Sequence, residues 1–288
     1  MRNFDEHNIT DAVLARVRNA SDPRVRQISE AVVRHLHNFI REVDPTFEEW
    51  QQAIAFLTNV GHMCTDTRQE FILLSDTLGA SMLVDAINHR LLEGATETTV
   101  LGPFYVENPP VAELGADISG GAHGVPMYCH GTVCDSQGKP IAGAVVDTWH
   151  SDEEGYYDVQ HYEEGGGVSM RARFHTDENG AFRFWSIVPN FYPIPDDGPV
   201  GKMLAAQGRH PYRPAHVHFM ISADGCETLV THVFIAGDKY IDSDVVFGVK
   251  ESLIKALDHQ PAGTGPDGRE MDKDYAILNY DFVLSPGK

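Results

Sequence analysis

The spacing of apolar residues changes once, near residue 100, and that change commits the chain to a helical part followed by a sheet part. Before it, Val13, Leu14 and Val17, then Ile28, Val32, Val33, Leu36 and Ile40, recur at three- and four-residue intervals. Such spacing puts them on one face of a helix. Asp22-Pro23 separates the first two helical runs, and Thr46 with Glu49 ahead of an apolar stretch has the form of a capping box. Phe71 to Leu83, continuing to Ile87 and Leu91, predicts a further, mostly buried helix. Residues 96–127 abound in Gly and Pro and read as a connector. Beyond them MYCHGTVCD, AGAVVDTWH, AFRFWSIVP, AHVHFMISA and ETLVTHVFIAGD are short β-rich runs between Asp, Gly and Pro turns. Asp177-Glu178-Asn179-Gly180 predicts a hairpin between RARFH and AFRFW. VFGVKESLIKALDHQ predicts a late helix, and DYAILNYDFVLS a closing strand. The expected fold class is α+β: a helical N-terminal domain over 1–105, then an antiparallel β-sandwich over 106–288.

A chain of 288 residues with 42% hydrophobic content can bury a conventional core. Its formal net charge of −20 argues against nucleic acid or an anionic membrane as principal partner. An anionic substrate would therefore need positive charge supplied locally. No apolar run approaches the ~20 residues of a membrane span, and the polar start MRNFDEHNIT lacks the apolar core of a secretory signal. Cys64, Cys129, Cys134 and Cys226 form no CxxC pair, so neither a zinc cage nor a disulfide framework is expected. A reducing, cytoplasmic setting is the expectation.

Chemistry concentrates in Arg213-Pro214-Ala215-His216-Val217-His218. Residues i and i+2 of a strand share a face, so His216 and His218 can present two imidazoles to one metal. Two hydrogen-bonded structural histidines would give the same pattern. Met220 stands where an HxHxD hydrolase motif needs an acid, and no adjacent Asp or Glu completes a two-histidine, one-carboxylate triad. Tyrosine is the other hard ligand available, because a bound cation offsets the cost of ionising a phenol. Spacing alone does not choose among the ten tyrosines.

The stretches DTWHSDEEGYYDVQ, FHTDENGAFRFWSIVPNFYPIPDDGPVGKMLAAQGRHPYRPAHVHFMIS and THVFIAGDKYIDSD resemble the intradiol ring-cleaving dioxygenases of aromatic catabolism. The resemblance covers nearly the whole chain. It implies one Fe(III) per subunit held by Tyr157, Tyr192, His216 and His218. Tyr156 is the neighbour separated from Tyr157 by alignment register alone, and the two point to opposite faces of an extended chain. ETTVLGPFYVENPP and EFILLSDTLG, with His232 where catechol-cleaving members usually carry glutamine and Pro193 where they carry glycine, point to the branch that cleaves hydroxyquinol (benzene-1,2,4-triol). A catechol- or chlorocatechol-cleaving enzyme is the alternative within the family, and a non-catalytic β-sandwich binding module the alternative outside it.

That resemblance implies two adjacent substrate oxygens chelating the metal and O2 entering the ring to give 3-hydroxy-cis,cis-muconate, the tautomer of maleylacetate. Tyr192, released from the metal when substrate binds, or hydroxide would take a substrate proton. Arg213, three residues before His216, would stabilise negative charge on the ring. The implied pocket wall comprises Leu73, Asp76, Gly102, Pro103, Phe104, Ile194, Pro195 and Val246, along with Arg213. Asp76 lies inside an apolar run, where an unpaired carboxylate is costly to bury, and is expected to meet the extra 4-hydroxyl. The resemblance also implies a homodimer formed through the N-terminal helices, with a phospholipid held there.

Overall fold

A computed structural model describes residues 3–65, 68–89, 94–160 and 167–287, and the chain divides between Asn59 and Val60 into two compact units. The first holds α1 (Ile9–Val17) and α2 (Pro23–Val43), and α3 (Phe47–His62) runs across the division. Asp22 caps α2 by accepting from the N–H groups of Arg24 (2.7 Å) and Val25 (3.1 Å). The capping box of α3 is reciprocal: Thr46 N–H donates to Glu49 at 2.8 Å, and Glu49 N–H to the Thr46 hydroxyl at 3.2 Å. No residue of α2 is buried, and Val25, Ile28, Val32, Leu36, Phe39 and Val43 form an exposed apolar stripe along it. Phe47, Trp50, Ile54 and Leu57 of α3 are exposed as well.

The second unit opens with α4 (Glu70–Thr77) and α5 (Ala80–Asn88). The single buried helix expected over this region is instead two short ones, broken at Leu78-Gly79, where Gly79 takes φ 73°. Its burial is also only partial. Leu73, Leu74, Asp76 and Thr77 are buried, whereas Phe71, Ile72, Leu83, Val84 and Ile87 are exposed. Leu91 lies outside the described residues.

The strands follow: β1 (Pro126–Asp135), β2 (Val145–His150), β3 (Arg171–His175), β4 (Ala181–Ile187) and β5 (Tyr192–Pro193). After α6 (Pro199–Ala206) come β6 (Tyr212–Arg213), β7 (His216–Ser222) and β8 (Leu229–Ile235). The chain ends with β9 (Ile254–Lys255), β10 (Asp258–Gln260), β11 (Gly263–Thr264), β12 (Glu270–Met271), β13 (Tyr275–Asn279) and β14 (Phe282–Leu284). One sheet groups β10, β13, β1, β14 and β4; the other runs β3-β2-β7-β8-β9. Phe174 stacks on Phe184 (5.2 Å between centroids) and Phe182 meets Phe219 (5.9 Å), so the two sheets share one aromatic core. The architecture is a helical part followed by a β-sandwich.

Four local expectations are corrected. The sandwich is not purely antiparallel, because β13 and β14 both run parallel to β1, and β9 parallel to β8. The single closing strand is divided at Tyr280-Asp281, where Asp281 turns its carboxylate onto the Thr132 N–H (2.8 Å). The Asp177–Gly180 turn forms, with Gly180 N–H donating to the Asp177 carbonyl at 2.9 Å, but it makes no hairpin: β3 pairs with β2, and β4 with β1. The late helix is absent. Its apolar residues serve the sheet edge instead, with Leu253 fully buried in a 3-10 turn and Ile254 paired to Phe234. Tertiary packing outweighs helical spacing there.

Candidate metal centre

Alternation along β7 sends Val217, Phe219 and Ile221 into the shared core and His216 and His218 to the opposite face. The neighbouring strands continue that face, since Trp149 of β2 and His232 of β8 flank His218 in register. Trp149 stacks on the His218 ring at 4.6 Å. His216 donates its Nδ1–H to the Pro214 carbonyl at 2.7 Å, which leaves its Nε2 as a lone pair. That Nε2 faces His218 Nε2 at 3.1 Å. The Tyr157 hydroxyl lies 3.0 Å from His218 Nε2 and 3.5 Å from His216 Nε2. The Tyr192 ring stands beside them, edge-on to that of Tyr157 at 5.2 Å. All four side chains are buried.

Burial, reinforced by the Arg213 charge, holds His216 well below the usual imidazole pKa. Burial and the adjoining His232 and His216 do the same for His218. Both rings are therefore neutral, with their Nε2 atoms converging. The Tyr157 phenol is pushed up by burial and then by Tyr192, so it ionises only against a cation. Donor separations of 3.0–3.5 Å match neighbouring ligands on one small ion whose bonds are about 2.1 Å. This donor set, two neutral imidazoles with phenols that need a cation to ionise, fits a hard, highly charged metal such as ferric iron. Tyr156, by contrast, is exposed.

Arg213 sits in β6, whose pairing with β5 sets it directly opposite Tyr192. It is buried; burial works against its charge, yet the Asp244 carboxylate raises its pKa above the ordinary value. Its Nη1 approaches His216 Nε2 at 3.4 Å. Phe104 stacks on Tyr157 at 4.4 Å between centroids. Gly102 lies so close that a Cβ there would come within 3.2 Å of His218 Cε1. Asp76, buried on α4 with Leu73, has its pKa raised by burial, against the pull of Ser81 and Arg213. Ile194 and Val246 are buried, Pro195 is half-buried and Pro103 is exposed.

His232, already singled out in the sequence, lies beside His216 and His218, whereas Asp158, Arg171 and Asp244 escaped the sequence reading. Among the described residues His232 joins His216 and His218 in a buried cluster whose donor atoms lie within 4.8 Å of one another, and its Nε2 has no hydrogen-bond partner. Asp158, directly after Tyr157, is locked to Arg171 of β3 by contacts of 2.6 and 3.0 Å. The alternation of β3 carries no sign that Arg171 points inward. Asp244 stands in a polar run that reads as an exposed turn.

His150, next to Trp149, is fully enclosed, its Nδ1–H donating to the Ser151 carbonyl at 2.7 Å and its Nε2 accepting from Ser186 at 2.8 Å. Burial lowers its pKa from 6.5 to about 4. A depressed imidazole pKa contributes stability above the unfolded value and loses it as pH falls toward the folded one. We therefore expect His150 to remove about 3 kcal/mol of stability between pH 6.5 and 4. Urea midpoints at pH 7 and 4.5 should differ less for His150→Gln than for the parent; equal differences would refute this.

Comparison with known proteins agrees with the fold. The family described as "Catechol dioxygenase N terminus" matches residues 22–96, and that described as "Dioxygenase" matches residues 100–286. The chain is 53% identical to 6-chlorohydroxyquinol 1,2-dioxygenase of Cupriavidus pinatubonensis, covering 99% of each. It is 51% identical to hydroxyquinol 1,2-dioxygenase of Rhodococcus opacus, covering 98% of this chain and 94% of that one. The solved structure of hydroxyquinol 1,2-dioxygenase from Pseudomonas putida DLL-E4 superposes with a TM-score of 0.92 at 46% identity, over 98% of this chain and 99% of that one. Among the described residues no helix is long and apolar enough to cross a membrane.

Proposed function

The chain belongs to the intradiol ring-cleaving dioxygenase family, and from that premise we propose that it cleaves hydroxyquinol with O2 to 3-hydroxy-cis,cis-muconate, the tautomer of maleylacetate. The observation that carries this reading is the convergence of Tyr157, His216 and His218 donor atoms within 3.5 Å on a buried face, beside a buried Arg213. Tyr157, Tyr192, His216 and His218 would hold one Fe(III). When bound, that ion supplies the positive charge that lets a catecholic substrate lose both hydroxyl protons and makes its ring reactive towards O2.

The protein groups do the rest. Tyr192 takes a proton from a substrate hydroxyl as general base. Arg213 faces the ring with a charge that Asp244 keeps in place, and so stabilises negative charge as it develops there. Trp149 and Phe104 pack against the ligand rings and limit water around them. Leu73, Gly102, Pro103, Ile194, Pro195 and Val246 form the wall that shapes the ring. Asp76 takes the 4-hydroxyl as a hydrogen-bond acceptor, a contact that catechol lacks.

Residues 1–105 are the dimerisation part and lend one pocket wall; residues 106–288 carry the iron and the chemistry. The exposed stripe of α2 supports a second copy of the chain as its cover, with phospholipid acyl chains held among the same helices. The test of the central reading is kcat/KM for hydroxyquinol and catechol measured side by side. Hydroxyquinol should lead by at least about tenfold, since a site built around a substrate hydroxyl discriminates against the analogue lacking it. A tenfold lead for catechol would refute the substrate assignment.

A further inference from the structure

Arg213 is held in place by a residue remote from the ligand set. Its Nε donates to Asp244 Oδ1 at 3.1 Å and its Nη2 to Asp244 Oδ2 at 3.3 Å, with both side chains buried. Two of the five guanidinium N–H groups are thereby fixed, and the planar fork leaves the Nη1 edge facing the site. The same carboxylate also accepts from two backbone groups of its own turn, Gly248 N–H at 2.9 Å and Val246 N–H at 3.4 Å. Asp244 is thus bonded at once to the guanidinium and to the turn that carries the Val246 wall.

That turn is held in an unfavourable conformation. Phe247 has φ 60°, a left-handed backbone that an aromatic residue rarely adopts. It is braced from the other side by Arg209, whose guanidinium lies 5.1 Å over the Phe247 ring. Arg209 also donates to the carbonyls of Val245 (3.0 Å) and Thr77 (2.7 Å), which ties the turn to the end of α4, the helix of Leu73 and Asp76. A Cβ added at Gly248 would come within 3.1 Å of both Arg213 Nη2 and Asp244 Oδ2, so a glycine here lets the turn lie close against the ion pair.

We propose that Asp244 is a positioning residue for ring cleavage: it fixes the Arg213 fork and the Val246 wall together, so that the guanidinium is aimed at charge developing on the bound ring. This rests on the reading of Arg213 as the group that stabilises that charge. A pair that merely neutralised a buried cation would need neither the two backbone bonds nor the strained turn.

The test is a double-mutant cycle of Asp244→Asn and Arg213→Gln on the iron-loaded enzyme, with kcat normalised to iron content. Asp244→Asn should lower kcat for hydroxyquinol at least about tenfold while KM moves less than about threefold. In the Arg213→Gln background the same change should cost less than about threefold, because the group it aims is gone. Equal losses in both backgrounds, or a single-variant kcat within threefold of the parent, would overturn the proposal. An Arg213→Gln enzyme of near-parental kcat would instead overturn the role of Arg213, and this inference with it. If Asp244→Asn does not fold, Asp244→Glu carries the test. It keeps the charge but displaces the fork by one methylene, so an unchanged kcat there would also refute the idea.

Discussion

A Tyr157→Phe enzyme is expected to lose most of its iron, the broad visible band of phenolate-to-ferric charge transfer, and at least about three orders of magnitude in kcat. The effect should be large because the Tyr157 hydroxyl lies 3.0 Å from His218 Nε2 in a fully buried setting. Phenylalanine fills the same space, so the fold should persist and the loss should be one of chemistry. The control is Tyr156→Phe. That side chain is 46% exposed, and its removal should leave iron content and colour unchanged and kcat within about twofold. Visible spectra and elemental analysis of the two variants suffice. The reverse outcome would move the ligand to Tyr156, and a colourless parent with no iron after ferric reconstitution would end the iron reading altogether.

The largest effect on stability is expected from Asp158→Ala. Asp158 and Arg171 are nearly inaccessible, joined by contacts of 2.6, 3.0 and 3.2 Å, and Asp158 also accepts the Val159 N–H at 2.9 Å. Removing the carboxylate leaves a buried guanidinium uncompensated, which costs about 3–5 kcal/mol. Replacing both partners with apolar residues should restore most of that, because no charge is then stranded. Denaturant titration of Asp158→Ala and of the Asp158→Ala/Arg171→Met pair distinguishes the two cases, and a single-variant loss below about 1 kcal/mol would show that the pair matters little. Since Asp158 follows Tyr157 directly, the single variant should also bind iron more weakly at constant protein concentration.

The histidines could be read from the sequence because a strand gives two imidazoles two residues apart no choice of face. Tyr157 and Tyr192 could not, since they enter from a loop and from a two-residue ribbon, where no period governs direction. Their selection came from resemblance alone. Asp244 and Arg171 were missed for a related reason: the residues around them look like exposed turn and ordinary alternation, and only long-range pairing turns them inward. The helix expected from Phe71 through Leu83 to Ile87 went wrong because apolar content was equated with burial, whereas six of the larger apolar residues there face outward in the isolated chain. The late helix failed in the opposite sense, its apolar residues being needed along the edge of β8.

The turn that carries the chain from β3 to β4 has a consequence for how the protein is made. Because it passes from one sheet to the other, neither sheet is a contiguous stretch of sequence. β1 meets its parallel partners only when the last strands arrive, Thr132 and Asp281 being bonded across 149 residues. During synthesis the sandwich therefore stays open until nearly the whole chain has left the ribosome, and closure must overcome the entropy of very long loops. The expected outcome is that the scaffold assembles without its metal, which is checked by recovering folded protein from iron-starved cells and charging it with ferric iron afterwards.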